Sequence, residues 1–360
     1  MKIQKLNKEN KKLLRAFLEK NKETKIQHSL EWLKSIESSY KNCKSYYYLA
    51  FEKNKIKAVL PFLLVQSKFF GNRLISMPFI DNGGFIGKID GKIIEDILEE
   101  IKKELKDLKF VQVRINSHMK NYKTTEKALI GAKFEKELDR SQFILELKDS
   151  EKMWSKLSRS TRRMVRKAKE KGLYVKELSP DEKLDSFYKI YFKNMKYFGT
   201  PPHSKVFFKN LWKNLYPKHL KGFNCYYQGK HIATMICYLY DNYVYYIYSV
   251  SNPEYLKLNP NEFLYWNFLK WSAENKYKWF DFGQAEINAE EGSHAQGIYN
   301  FKKKWNGEIY ERPYFTYYFE KQPNEKQGKS KLKKYVKIWK RLPNSSIKIV
   351  GPKICRELGL

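Results

Sequence analysis

The apolar positions along this chain change period several times, and each change marks an element. In residues 24–40, TKIQHSLEWLKSIESSY, Ile26, Leu30, Leu33 and Ile36 recur near helical spacing, which predicts an amphipathic helix. The run SYYYLAFEKNKIKAVLPFLLV holds two β-rich stretches on either side of polar residues 52–55, the pattern of a hairpin. RLISMPFI predicts another strand, ending in Asp81-Asn82-Gly83-Gly84. Residues 91–107 return to helical period, and FVQVRIN and SQFILEL predict strands on either side of a further helix. This mixed half closes near Lys148.

Ser150 can cap the next helix, predicted over residues 151–171, EKMWSKLSRSTRRMVRKAKEK. At roughly 100° per residue, Arg159, Arg162, Arg163 and Arg166 fall in one stripe, with Trp154, Leu157, Met164, Val165 and Ala168 opposite. After a helix over residues 181–198 and the turn Gly199-Thr200-Pro201-Pro202, residues 223–249 read as a three-strand meander turning at Gln228-Gly229-Lys230 and Asp241-Asn242. Asn259-Pro260-Asn261-Glu262 supplies a capping residue, proline at the first helical position and Glu at the third, ahead of the aromatic helix FLYWNFLKWSAENK. A last strand, KWFDFG, leads into a polar loop, and residues 321–337 form a Lys-rich linker before a basic tail.

Composition narrows the classes. With 42% hydrophobic residues, 27 Tyr, 23 Phe and 8 Trp in 360, the chain is no disordered basic polypeptide. No apolar run approaches the roughly 18 to 20 residues of a membrane span, and the charged first twenty residues lack a secretory h-region. A cytoplasmic protein is expected. Cys43, Cys225, Cys237 and Cys355 are scattered, which signals neither disulfides nor a metal site. The 71 Lys+Arg against 39 Asp+Glu give a net charge of +32, yet only 11 of the 71 are Arg. The Lys excess, with abundant Asn, Ile, Tyr and Phe, fits the coding bias of an AT-rich genome. Its field still attracts phosphates or the anionic inner membrane face.

These residues also carry a family resemblance. VLPFLLVQSKFFGNRLISMPFIDNGGFIG resembles the first-half signature of FemAB-type proteins. The Arg-rich helix, FYKIYFKNMKYFGTPPHSKVFF, and WFDFG followed by YNFKKKWNG resemble their second half. WKRLP with Gly351-Pro352 resembles the tail of the exopolysaccharide-associated branch. The resemblance implies a mixed α/β chain of two tandem domains of the Gcn5-related N-acyltransferase (GNAT) fold, at 1–148 and 149–320, with a cleft between them and a basic tail at 321–360. It implies transfer of an aminoacyl or acyl group onto an amine of a peptidoglycan or surface-polysaccharide precursor, lipid-linked or nucleotide-linked, with aminoacyl-tRNA or acyl-CoA as donor and no tightly bound cofactor. Two departures matter. Gln284-Ala285 stands where much of that branch has Arg-Ser, before a longer, acidic loop to Tyr299. The Arg/Gln-x-x-Gly-x-Gly/Ala loop that cradles the CoA pyrophosphate in acetyl-CoA enzymes is missing.

Phe301-Lys302 stands where the family has a Phe-Lys pair that contacts the aminoacyl donor. The resemblance therefore makes Lys302 a catalytic candidate, holding the donor phosphate or the developing oxyanion, with Lys303 beside it. Asp281 in WFDFG is the candidate base, set against a purely structural role. The Arg stripe is either a solvated face or a phosphate clamp, since guanidinium forks grip phosphate better than ammonium does. Tyr246 and Tyr248 are candidates for lining the acyl cleft, His203 for orienting the acceptor, and Asp81, Gly83 and Gly84 for close approach of backbone to ligand. No Ser-His-Asp or Cys-His arrangement is evident, so direct attack without a covalent intermediate is expected. Two readings stand beside it: an acyl-CoA-dependent N-acetyltransferase acting on a nucleotide- or carrier-linked sugar, and a non-catalytic basic adaptor for RNA or anionic membrane.

Overall fold

A computed structural model describes residues 1–179, 184–319 and 339–359. The described residues fall into two units, one drawn from Met1–Ser141, Tyr310–Gly328 and Lys353–Leu360, the other from Gln142–Ile309 and Lys329–Pro352.

The first unit is built on a mixed sheet. Strands β1 (Lys2–Lys5), β2 (Cys43–Glu52), β3 (Lys55–Val65), β4 (Asn72–Ile75), β6 (Leu108–Arg114), β15 (Tyr314–Tyr318) and β7 (Glu135–Glu137) follow in that spatial order, with β5 (Ile86–Gly87) against β3. The predicted hairpin is β2–β3, turning on Lys53 and Asn54 with φ of 46° and 62°, the left-handed pair that matches strand twist. Helix α1 (Lys11–Lys20) precedes α2 (Leu30–Ser39), and the latter starts later than its apolar period suggested. Ser29 Oγ accepts the Trp32 N–H, and Ile26–His28 form a separate 3-10 turn. Helix α3 (Gly91–Glu104), capped by Asp90, buries Ile93, Ile94, Ile97 and Ile101 in a core with Leu60, Phe62, Leu74 and Val111. Helix α4 (Tyr122–Gly131) adds Ala128 and Leu129. The strand predicted from RLISMPFI stops at Ile75, because Met77 and Phe79 take left-handed φ of 54° and 67°.

The second unit carries the sheet β14 (Glu308–Glu311), β8 (Arg140–Glu146), β13 (Trp279–Glu286), β12 (Tyr243–Ser251), β11 (Lys230–Tyr240), β10 (Leu220–Tyr227) and β9 (Tyr174–Glu177), again in spatial order. The helix predicted over 151–171 is two helices, α5 (Ser150–Lys156) and α6 (Arg159–Glu170). Leu157 is extended and Ser158 Oγ accepts the Thr161 N–H, so a new N-terminus starts inside the Arg-rich run. Asp149, not Ser150, caps α5. Helices α7 (Leu184–Phe198) and α8 (Lys205–Leu215) pack their Phe and Tyr residues on one another. Helix α9 (Pro260–Glu274) buries Phe263, Leu264 and Phe268 with Val165 and Ala168 of α6 and Cys237, Phe280 and Phe282 of the sheet. Asn259 precedes it in a left-handed conformation (φ 58°) without the side-chain cap expected of it.

Two strands cross the expected boundaries at 148 and 320. SQFILEL lies in β8 of the second sheet, and Tyr314–Tyr318 pairs with β6 of the first. Alternation marks a segment as a strand, but its partner is chosen by distant chain. The basic tail forms a helix of its own after α10 (His294–Lys303), namely α11 (Asn344–Leu358). Arg73 bonds the Glu357 and Leu358 carbonyls, and Cys355 is buried. The linker expected at 321–337 lies outside the described residues. Among those described, no helix is long and apolar enough to cross a membrane.

Candidate active site

Strands β12 and β13 run parallel through Tyr243–Trp279, Val244–Phe280 and Tyr245–Asp281. Their pairing ends there, although β12 continues to Ser251 and β13 to Glu286. Local features bend both strands. In β12, Tyr246 stands opposite Cys237 while Tyr248 stands opposite Ile236, so Ile247 is an inserted residue. In β13, Gly283 has a left-handed φ of 77° and donates its N–H to Asp281 Oδ1 at 2.8 Å. Bulges sharpen local twist and release strands from their partners.

Lys302 sits at this parting, in the last turn of α10, and is only 6% exposed. Its Nζ donates to the Gln284 carbonyl at 2.6 Å and lies 5.4 Å from the centroid of the Tyr246 ring. The ammonium thus meets a backbone oxygen of β13 and an aromatic face of β12, two groups that favour a cation. Its neighbours fix the position. Phe301 packs edge-on to Tyr265 at 4.9 Å, and Lys304 stands 4.0 Å above the Phe301 ring while pairing with Glu262 at 2.6 Å. That pair ties the end of α10 to the first turn of α9. Burial raises the Tyr265 hydroxyl well above its ordinary range, helped by the adjacent Tyr246, so it stays neutral. Lys303 is exposed. The loop expected to reach Tyr299 is shorter than its sequence suggested: Ser293 Oγ accepts the Gln296 N–H and α10 starts at His294. Lys302 is therefore held by a helix rather than by a loop.

The bulge separates the two tyrosines expected side by side. Residues two apart in a regular strand share a face, and an inserted residue cancels that rule. Tyr246 faces α9, with Tyr265 at 5.5 Å, whereas Tyr248 packs on the other face among Tyr191, Phe208 and His203. His203 is 7% exposed, stacked on Phe207 at 4.2 Å, and burial pushes its imidazole down to about 3. It is a neutral member of an aromatic cluster. Asp281, 3% exposed, accepts from Gly283 N and Gln142 Nε2, bonds that serve the bend of β13. On α6, Arg159, Arg163 and Arg166 are exposed, and Arg166 lies 5.6 Å from the Trp154 ring. Arg162 is half-buried and donates to the Ser155 carbonyl at 2.8 Å.

Asp81, Gly83 and Gly84 belong to the first unit and serve its own chain. Gly83 donates to the Arg114 carbonyl at 2.9 Å and its carbonyl meets His28 Nε2 at 2.5 Å. A Cβ on Gly83 would stand 2.2 Å from the Ser76 carbonyl oxygen. Gly84 needs its φ of 75°, and the Asp81 carbonyl accepts from the buried Arg312 guanidinium. Gln142 and Tyr265 had no sequence signal of their own, Glu262 was marked only as part of a helix start, and Gln284 only as a departure from the exopolysaccharide branch. Tyr265 was one ring among many in an aromatic helix, and no spacing rule relates α9 to α10.

A family model described as an acetyltransferase (GNAT) domain matches residues 155–303. No curated protein matches the chain. Among solved structures, the crystal structure of FemX is similar at a TM-score of 0.70 and 13% identity, covering 89% of this chain and 98% of that one. A tandem GNAT protein from the clavulanic acid biosynthesis pathway is similar at 0.56 and 8%, covering 89% and 99%. The C-terminal domain of a putative lysylphosphatidylglycerol synthetase from Agrobacterium fabrum is similar at 0.56 and 9%, covering 86% and 91%. A GNAT domain implies acyl-CoA as the co-substrate. The segment between β12 and α9, residues 252–259, contains no glycine. Pro253 and Pro260 offer no N–H, and Asn252 spends its side chain on Glu254 N. Residues 155–303 thus match an acetyltransferase (GNAT) domain, and the two mixed sheets share their fold with FemX.

Proposed function

We propose that this acyltransferase moves an aminoacyl group from an aminoacyl-tRNA ester to an amine of a cell-envelope precursor, by direct attack beside Lys302. The observation that carries the reading is the buried Lys302 ammonium at the parting of β12 and β13, held by Gln284 and Tyr246. The acceptor nitrogen adds to the ester carbonyl, negative charge grows on that oxygen, and the ammonium stabilises it where water is scarce. The ribose oxygen then leaves with the bonding pair and takes a proton, while the nitrogen loses one to solvent or to a substrate phosphate. Proximity supplies much of the remaining acceleration. The envelope acceptor follows the sequence resemblance, and one structural neighbour is named for the synthesis of an aminoacylated phospholipid. The exposed Arg residues of α6 suit a polyanionic donor.

The GNAT match favours a second reading, transfer from acyl-CoA, against which the proline-flanked segment 252–259 weighs. Transfer assays with aminoacyl-tRNA and with acetyl-CoA, each against an amine-bearing envelope precursor, separate the two. Lys302→Met should lower kcat about 10²-fold with KM little changed. Robust turnover with acetyl-CoA in the absence of tRNA would replace the donor. A raised KM with kcat preserved would make Lys302 a phosphate anchor instead.

A further inference from the structure

The first sheet ends in an apolar tip that nothing within its unit requires. Between β3 and β4 the chain turns through Gln66-Ser67-Lys68-Phe69-Phe70-Gly71, and Phe69 is 83% exposed and Phe70 48%. No other large apolar side chain among the described residues is as exposed as Phe69. The tip has a definite shape. Ser67, itself buried, accepts from both the Phe69 and Phe70 N–H through its Oγ, at 3.2 and 3.0 Å, and Asn42 and Gln66 exchange bonds at its base. Gly71 takes a φ of 72° with the Lys109 side chain against it. A constrained turn that holds Phe69 in water, with Phe70 half-exposed and the Arg73 guanidinium 5.6 Å from its ring, sacrifices burial available to a looser loop.

The surroundings are basic. Exposed Lys41 and Lys44 flank Asn42 where β2 begins, Lys68 is in the tip, and Lys106 and Lys109 border it where β6 begins, with Asp107 the acidic member of that turn. We infer that the 66–71 tip is a docking site for an anionic phospholipid surface, with Phe69 and Phe70 entering the headgroup region and the lysines meeting the lipid phosphates. Aromatic side chains flanked by lysines suit a bilayer interface, where the rings find apolar contact and each nearby cation meets negative charge. A duplex RNA backbone or an acidic-protein surface would use the lysines but leave both rings in water, and single-stranded RNA, whose bases stack on aromatic rings, is separated by the tRNA arm of the test.

Sedimentation with vesicles of phosphatidylglycerol and phosphatidylcholine, against phosphatidylcholine alone, tests the inference. The parent should favour the anionic vesicles. The exposed pair Phe69→Ser/Phe70→Ser should weaken that binding about tenfold or more at low and at high salt. Lys41→Gln/Lys44→Gln/Lys68→Gln should weaken it by about fivefold per charge at low salt only. A control set, Lys167→Gln/Lys169→Gln/Lys171→Gln, should stay within about twofold if charge acts only near the contact. Because the four native cysteines are buried, a polarity-sensitive dye on Phe69→Cys should report an apolar shift on binding. Unchanged affinity in the double-serine variant, equal losses in both lysine sets, or no dye shift would reduce the effect to diffuse charge and overturn the inference. An equal loss of tRNA binding by the double-serine variant would overturn the lipid assignment.

Discussion

The two sheets treat their parallel strand pairs in opposite ways. In the first, β4 and β6 pair from Asn72–Leu108 to Ile75–Gln112, and the chain's own backbone then closes the gap beyond. Ser76 N bonds the Gln112 carbonyl, Arg114 N bonds Ser76 Oγ, and Gly83 N bonds the Arg114 carbonyl. In the second, β12 and β13 stop pairing at Tyr245–Asp281, and Lys302 with Tyr246 stands where the first sheet has backbone. A closed gap satisfies backbone groups and stabilises; a parted one leaves groups for a ligand to satisfy. One pattern of elements thus yields a lobe closed by its own chain and a lobe whose parallel strands part.

Acid should strain the two lobes unequally, and this is the largest effect expected. Burial holds His28 of the first lobe near 4, and His203 and His231 of the second near 3 and 4, against 6.5 in the unfolded chain. Each folded imidazole refuses a proton that the unfolded chain accepts. Stability is therefore whole above pH 6.5 and lost as pH falls towards 4, by about 1.4 kcal/mol per unit for each histidine. The second lobe, where burial also lowers the His294 pKa, should lose at least about twice as much as the first. Calorimetry between pH 7.5 and 5 on the parent and on His203→Gln checks the sign, since the variant should show the shallower pH slope.

Gly83→Ala aims at the closed gap. Its Cβ meets backbone, not a flexible side-chain tip, so the cost should be about 3 kcal/mol or more in urea denaturation. A loss under 1 kcal/mol would mean that the 81–84 turn gives way easily and that the first gap is less closed than its bonds indicate. Tyr246→Phe and Tyr248→Phe test the parted gap. The first should lower the transfer rate about tenfold by removing the Tyr246 hydroxyl and its hydrogen bond with Tyr265. The second should leave the rate nearly unchanged, because its ring lies among Tyr191 and Phe208 on the other face. Equal rate losses would place both tyrosines at the substrate.

The smallest effect belongs to α6. Arg162→Gln/Arg163→Gln should weaken binding of the polyanionic donor several-fold at low salt and leave stability within about 1 kcal/mol. Unchanged donor affinity would return the stripe to a solvated face.

Local physics made much of this protein legible from its residues. Period-2 and period-3.6 patterns marked the β2–β3 hairpin, α3, the meander from β10 to β12 and α9, since these elements answer to side chains near in sequence. Lys302 was singled out from the Lys-rich run after Phe301 by the family resemblance alone, since composition makes it an ordinary surface lysine. Tertiary structure decided the rest. It chose which sheet received β8 and β15, turned Tyr248 away from Tyr246 and toward His203 by one inserted residue, and packed Gly83 against the Ser76 backbone. It also joined Tyr265 and Gln284 to Lys302. Pairing partners, bulges and burial depend on chain far away in sequence, and no spacing within a segment carries that information.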